Sequence, residues 1–199
     1  GLGANIHASL SGVVEEITEM DIVVKLDKEQ TDDYVRLEKT DDYLQKIKDA
    51  GIVGVGGAGF PTGIKFSTQI PGGYLIANAA ECEPILGHNV KFMEEQPEVL
   101  VRGMKYIMEL TGAKEGYIAI KTKYRKALLA LGKACKNEPN ISIKILPNMY
   151  PAGDERVIVR ETLGVILQPG QLPLEANAII SNVETIKHVV NAIEDDKPL

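Results

Sequence analysis

Apolar and polar positions alternate through residues 8–26, "ASLSGVVEEITEMDIVVKL", with a glycine near the start and an aspartate past the middle. A period of two with turn residues inside predicts two short strands around a tight turn. The stretch 27–41, "DKEQTDDYVRLEKTD", is charged and nearly free of core residues, which predicts a linker. In "TDDYLQKIKDAG" the period lengthens: Tyr43, Ile47 and Ala50 share one helical face. Thr40 or Asp41 stands where a helix is capped, and Gly51 where it stops. Further on, "GYLIANA" (73–79), "EGYIAIK" (115–121), "ISIKILP" (141–147) and "NAIISNV" (177–183) are short apolar runs that predict strands. Helical patterns fill 97–111, 122–136 and 153–163, and a last one runs from Val183 to about Ile193. Strands alternating with helices predict an α/β fold, a parallel sheet covered on both faces. Ligands in such folds bind at carboxyl ends of strands, here "ANAAECEP" and "ISNVET".

Composition narrows the partners. The chain has 199 residues and a net charge of −6, room for one α/β domain with an appendage and a poor match for nucleic-acid phosphates. A small anion held by backbone amides is still compatible with that charge. The uncharged, mostly apolar glycine loop, Gly51 to Pro61, is far too short to span a bilayer, so no membrane insertion is expected. No basic-then-apolar leader opens the chain, and "GLGANIHASL" begins without Met, as a piece of a longer protein would. Cys82 and Cys135 form no C-x-x-C cluster, and His7, His88 and His188 are scattered. No metal is expected within this chain, and a reduced, cytoplasmic setting is.

The densest chemistry lies in residues 51–66, "GIVGVGGAGFPTGIKF", with six glycines in sixteen positions. Gly54, Gly56 and Gly59 spell G-x-G-x-x-G, but the dinucleotide fingerprint needs a strand before it, and the segment here reads as a helix. A Walker A loop fails too, because Ile64 and Phe66 flank Lys65 where Gly and Ser/Thr are required. The glycines allow backbone amides to approach a ligand, Pro61 pins the chain, Thr62 is placed to cap the next helix, and Lys65 follows in its first turn. A nest for a phosphate or a flat polar ring fits this better than a mobile joint.

"GVGGAGFPTGIKF" resembles the flavin loop of the flavin-carrying subunit of respiratory complex I and of its relative RnfC. "NAAECEP" (Asn78, Glu81, Glu83, Pro84), "YPAGDE" (Tyr150 to Glu155) and "NVET" (Asn182 to Thr185) resemble three further motifs of that family, in its order. "AECEP" and "YPAGDE" are more similar to RnfC than to complex I, and "IHASLSGVV" resembles the lipoyl-like domain that precedes the flavin domain there. The group also includes a proline-reductase-associated electron-transfer protein, the type favoured on overall impression, and a cobalamin reductase. The resemblance implies a Rossmann-like parallel sheet of the complex I flavin-subunit type, flanked by helices and preceded by a small all-β lipoyl-like piece. It divides the chain into strands of that piece (1–30), a linker (31–39), an FMN- and NADH-binding α/β domain (40–190) and the start of a following domain (191–199).

The same resemblance implies bound FMN, with NADH stacking over it as hydride donor and iron–sulfur clusters outside this chain as the exit. Gly54, Gly56, Gly57 and Gly59 would present amides to the FMN phosphate and ring edge, and Lys65 a charge-assisted contact. Phe60 would stack on a ring or pack in the core. Asn78 would satisfy flavin ring atoms or form a turn. Glu81 and Glu83 would accept ribose hydroxyls or a nicotinamide amide. Gly153, Asp154 and Glu155 belong to the same site, with helix capping as the other role of Asp154. Asn182 and Thr185 would contact flavin or its ribityl phosphate, with N-capping the rival role of Asn182.

The chain departs from the complex I pattern at four positions. Val55 replaces an arginine, Thr68 an aromatic, Ala80 an acid and Asn89 another acid. A lysine at the hairpin tip, which lipoyl and biotinyl carriers display, is missing from "TEMDIV", so no covalent cofactor is expected. The implied activity is an NADH-dependent flavin oxidoreductase working with other subunits or domains of an electron-transfer complex, at most at the cytoplasmic face of a membrane. A cobalamin reductase, or a docking scaffold without flavin, are the alternatives.

Overall fold

The computed structural model of the protein describes residues 3–199 except 56 and 84. Its N-terminal part is an antiparallel hairpin of β1 (Gly12–Ile17) and β2 (Ile22–Leu26), closed by a Thr18–Asp21 turn. The main sheet holds β3 (Tyr74–Ala79), β4 (Glu115–Lys121), β5 (Ile141–Leu146) and β6 (Ala178–Asn182), all parallel, in the order β5-β4-β3-β6. Around it lie α1 (Tyr43–Asp49), α2 (Thr62–Phe66), α3 (His88–Glu95), α4 (Pro97–Thr111), α5 (Arg125–Ala134), α6 (Glu155–Leu163) and α7 (Val183–Glu194).

The apolar runs are strands because both faces of this sheet are covered. Leu75, Ala77, Ile118, Ile120 and Ile179 point into one core with α1, α4 and α7. The alternate residues Ile76, Ala119 and Ile180 pack against Ile158 and Val159 of α6 on the other face. Chain direction then creates a crevice. From β3 the chain steps outward to β4 and β5, and returns to the far side of β3 for β6. The chain leaves β3 toward α3 and β6 directly into α7, and a cleft lies at the carboxyl ends of these two neighbouring strands. The register sets Asn78 beside Asn182 at that edge.

Several local expectations shift. Asp42, not Thr40 or Asp41, caps α1 by accepting the Gln45 amide, while the Thr40 hydroxyl accepts the amide of Asp42. Thr62 does not cap α2: Pro61 occupies that position, and the Thr62 amide donates to the Ile52 carbonyl. The helix expected over 122–136 is confined to Arg125–Ala134. The final strand loses both ends, since Asn177 turns left-handed and Val183 opens α7. Helix α3 is an addition to the expected elements: it has no capping side chain, and Gln96 alone separates it from α4.

The stretch 27–41 holds no helix and no strand. It is nonetheless pinned, since the Leu37 amide donates to the Asp196 carbonyl. The residues after α7 fold back, with Asp196 paired to the buried Lys46 and the Leu199 amide donating to the Ala50 carbonyl. Among the described residues no helix is long and apolar enough to cross a membrane.

Candidate functional site

Two sets of hydrogen bonds shape the glycine loop. At its base Val53 and Pro61 form an antiparallel bridge, the Gly54 amide donates to the Phe60 carbonyl (2.9 Å) and the Thr62 amide to the Ile52 carbonyl (2.8 Å). Above the base, the Val55 amide donates to the hydroxyl of Thr185 at 3.0 Å. Thr185 is buried in the first turn of α7, so the loop is moored to the helix that follows β6. A segment closed at its base and tied to a second element is not a joint between domains.

The loop forms one wall of a cleft of about 700 Å³ over the β3/β6 edge. That volume lies within the roughly 300–1,000 Å³ of small-molecule sites. Of the residues proposed from sequence, the cleft gathers Gly54, Gly57, Phe60, Lys65, Asn78, Gly153, Asp154, Glu155, Asn182 and Thr185. Phe60 is half exposed at this cleft, which leaves it outside the core. Gly59 takes a left-handed turn (φ 66°) beside the lining, and Gly56 lies outside the described residues.

Glu81 and Glu83 stand apart from this lining. The Glu81 carboxylate accepts from the Asn89 side chain at 3.0 Å, and its carbonyl accepts from Lys121 and the Tyr124 hydroxyl. Glu83 lines a neighbouring cavity of about 420 Å³ with Cys82, Lys91, Lys123 and Tyr124. Cys82 links the two spaces, its sulfur accepting the Gly153 amide at 3.2 Å. Among the described residues no group of three or more His, Cys, Asp or Glu could hold a metal ion.

Many polar side chains in the cleft are already held in place. Asn78 donates to the Gly153 carbonyl (3.1 Å) and accepts the Ala80 amide, tying the end of β3 to the start of α6. Asn182 caps α7 by accepting the Glu184 amide (2.7 Å), and Asp154 caps α6 by accepting the amides of Arg156 and Val157. Both capping roles weighed from sequence are therefore real. Two helix N-termini, with their partial positive charge, lie at the cleft. Lys65 of α2 pairs with Glu155 of α6 across it, Nζ to Oε1 at 3.2 Å.

Two glycines test whether the cleft suits a flavin. Neither Gly54 nor Gly57 has positive φ. A Cβ at Gly54 would make only ordinary contacts, and one at Gly57 would meet no protein atom within 4 Å. Nothing in the conformation or packing of the described residues requires glycine at these two positions, yet both line the cleft. Their bareness leaves room for a ligand against backbone amides. Ile64, Leu172, Pro173 and Leu174 supply an apolar wall of the lining, as a flat ring system needs.

The sequence pattern does not reveal that wall. Leu172 and Leu174 sit in "QPGQLPL", where Pro and Gly mark a loop and hide its two apolar positions. The mooring of Val55 by Thr185 has no local signal either, because 130 residues separate the two.

Residues 47–191 match the Nuo51 FMN-binding domain. This chain belongs to that family. Relatives are similar over most of it. Cobalamin reductase PduS of Salmonella typhimurium is 40% identical over 159 residues, 80% of this chain and 34% of that protein. A subunit of the Na(+)-translocating ferredoxin:NAD(+) oxidoreductase complex of Acetobacterium woodii is 33% identical, over 98% of this chain and 48% of its own length. The solved NAD+-reducing [NiFe]-hydrogenase in its air-oxidized state superposes with a TM-score of 0.63 at 26% identity, over 76% of this chain and 30% of that one. The chain thus spans a third to a half of the length of these two relatives. The RnfC and complex I resemblance holds, and the parallel sheet preceded by a hairpin is the fold it implies.

Proposed function

We propose that the β3/β6 cleft binds FMN, that the flavin accepts hydride from NADH, and that electrons leave to iron–sulfur clusters elsewhere in the full-length protein. The observation that carries the reading is the pair of cleft glycines that the fold itself does not require, in a chain of an FMN-binding family. The flavin would supply the exchange between two-electron and one-electron chemistry, and the protein binding, orientation and electrostatics.

In this reading Gly54 and Gly57 bring backbone amides against the ligand. Thr185 keeps the loop in shape through the Val55 amide, and Asn78 fixes Gly153 at the opposite wall. Among the described residues of the lining, Lys65 offers the one cationic side chain to a phosphate or to charge on the ring. Leu172 and Leu174, exposed at the cleft, would offer apolar surface to the ring, and Phe60 is placed to stack on a nicotinamide or adenine. Glu83 would serve the dinucleotide from the neighbouring cavity, reached past Cys82, and Glu81 from beside it, where Asn89 holds its carboxylate.

An absorbance spectrum of the purified protein with FMN, before and after anaerobic NADH, tests this. A bound-flavin spectrum that bleaches is expected. Flavin bound but not bleached removes NADH as donor, and no bound flavin favours a scaffold role. The 40% identity to a cobalamin reductase favours a second acceptor, cob(II)alamin or cob(III)alamin. Oxidation of the NADH-reduced protein by added cobalamin distinguishes it. An association with proline reductase rests on the sequence resemblance alone. The relatives' complexes make partner subunits, at a cytoplasmic membrane face, part of the same proposal.

A further inference from the structure

Among the described residues three charged side chains line the cleft: Lys65, Asp154 and Glu155. Their formal sum is negative, which is adverse for a ligand bearing a phosphate. The two acids are not equivalent. The Asp154 carboxylate is committed to the end of α6, accepting two of its amides, and lies 3.6 Å from Arg156. Glu155 makes its contact across the cleft, to Lys65 at 3.2 Å, from an element 90 residues away in sequence. Both partners stay substantially exposed, at 34% and 46% of the side chain, so water screens the pair and no surrounding packing locks it.

We propose that Glu155 is a displaceable counter-ion: it occupies the Lys65 ammonium while the cleft lacks an anion and yields it to the phosphate of the incoming flavin. The inference rests on the flavin reading above. It assigns the site a selectivity. A phosphorylated flavin competes for Lys65, whereas riboflavin has no group to displace Glu155 with, so the pair stays closed beneath it. The competition is mild, because an exposed ion pair stabilises by at most about 1 kcal/mol, roughly a five-fold change in affinity.

The test is a fluorescence-quenching titration of the apoprotein with FMN and with riboflavin, for wild type, Glu155→Gln, Lys65→Ala and the double variant. Glu155→Gln is expected to tighten FMN about three- to five-fold and leave riboflavin unchanged. Lys65→Ala is expected to weaken FMN selectively, and adding Glu155→Gln to it to change nothing further, as for two residues acting through one contact. Equal weakening of both flavins by Glu155→Gln would overturn the inference, since Glu155 would then be touching the ring. Unchanged FMN affinity in Glu155→Gln would overturn it as well. If wild type binds neither flavin, the flavin reading itself fails. Binding by wild type with no effect of Glu155→Gln removes only the counter-ion role.

Discussion

The α4–α7 seam and the glycine loop both rely on glycine, for opposite reasons. At the seam a Cβ on Gly103 would come within 2.5 Å of an Ile186 methyl, 2.8 Å of a Val190 methyl and 3.0 Å of the Ile186 carbonyl oxygen. Glycine there lets two helices approach, and the fold needs it. In the loop a Cβ on Gly57 would meet no protein atom within 4 Å. Glycine there does nothing for the folded chain by itself. A glycine the fold can spare, in a cleft at the carboxyl ends of parallel strands, is a mark of ligand binding.

Substitutions at the two places should separate stability from binding. Gly103→Val overpacks the seam and is expected to cost about 3 kcal/mol, seen as a lower denaturation midpoint. An unmoved midpoint would mean the helices part freely and the contrast is false. Gly57→Ala is expected to change stability by less than about 0.5 kcal/mol while weakening FMN about tenfold. Thr185→Val sharpens the comparison from the side. It removes the acceptor of the Val55 amide, so about 1 kcal/mol of stability should go, with a few-fold loss of FMN affinity. Flavin binding that ignores this change would show that the base of the loop suffices.

The smallest effect concerns pH, and lies on the seam side. Burial holds the His188 imidazole of α7 below its ordinary pKa; Glu184 opposes this, while Lys187 and Lys197 add to it. Below about pH 6.5 the unfolded chain therefore binds more protons at this residue than the folded one. Stability present above that pH is lost as pH falls toward the folded-state pKa. His188→Gln should flatten the slope in that window, and identical pH profiles for the two proteins would contradict it.

The sheet is legible in the sequence because both-face burial writes near-continuous apolar runs in β3, β4 and β6, while the edge strand β5 interrupts its run with Ser142 and Lys144. Helix α4 is legible from Pro97 to Gly112 for the same local reason. Helix α3 escapes because it is short, is preceded by Gly87, which offers no capping side chain, and abuts α4. The cleft is readable where its residues fall in motifs. Gly54, Lys65, Asn78 and Asn182 line one cleft, while Glu81 is held apart by its bond to Asn89, a pairing that only the fold of α3 creates. Leu172 and Leu174 are invisible because they are exposed at the cleft, in a Pro- and Gly-rich loop where apolar positions carry no periodicity.

A side-by-side FMN titration and thermal melt of wild type and Gly57→Ala tests the account most directly. Unchanged melting with FMN binding lost or weakened about tenfold is the predicted result. Equal FMN affinity in the two proteins would contradict the claim that this loop is built around a flavin.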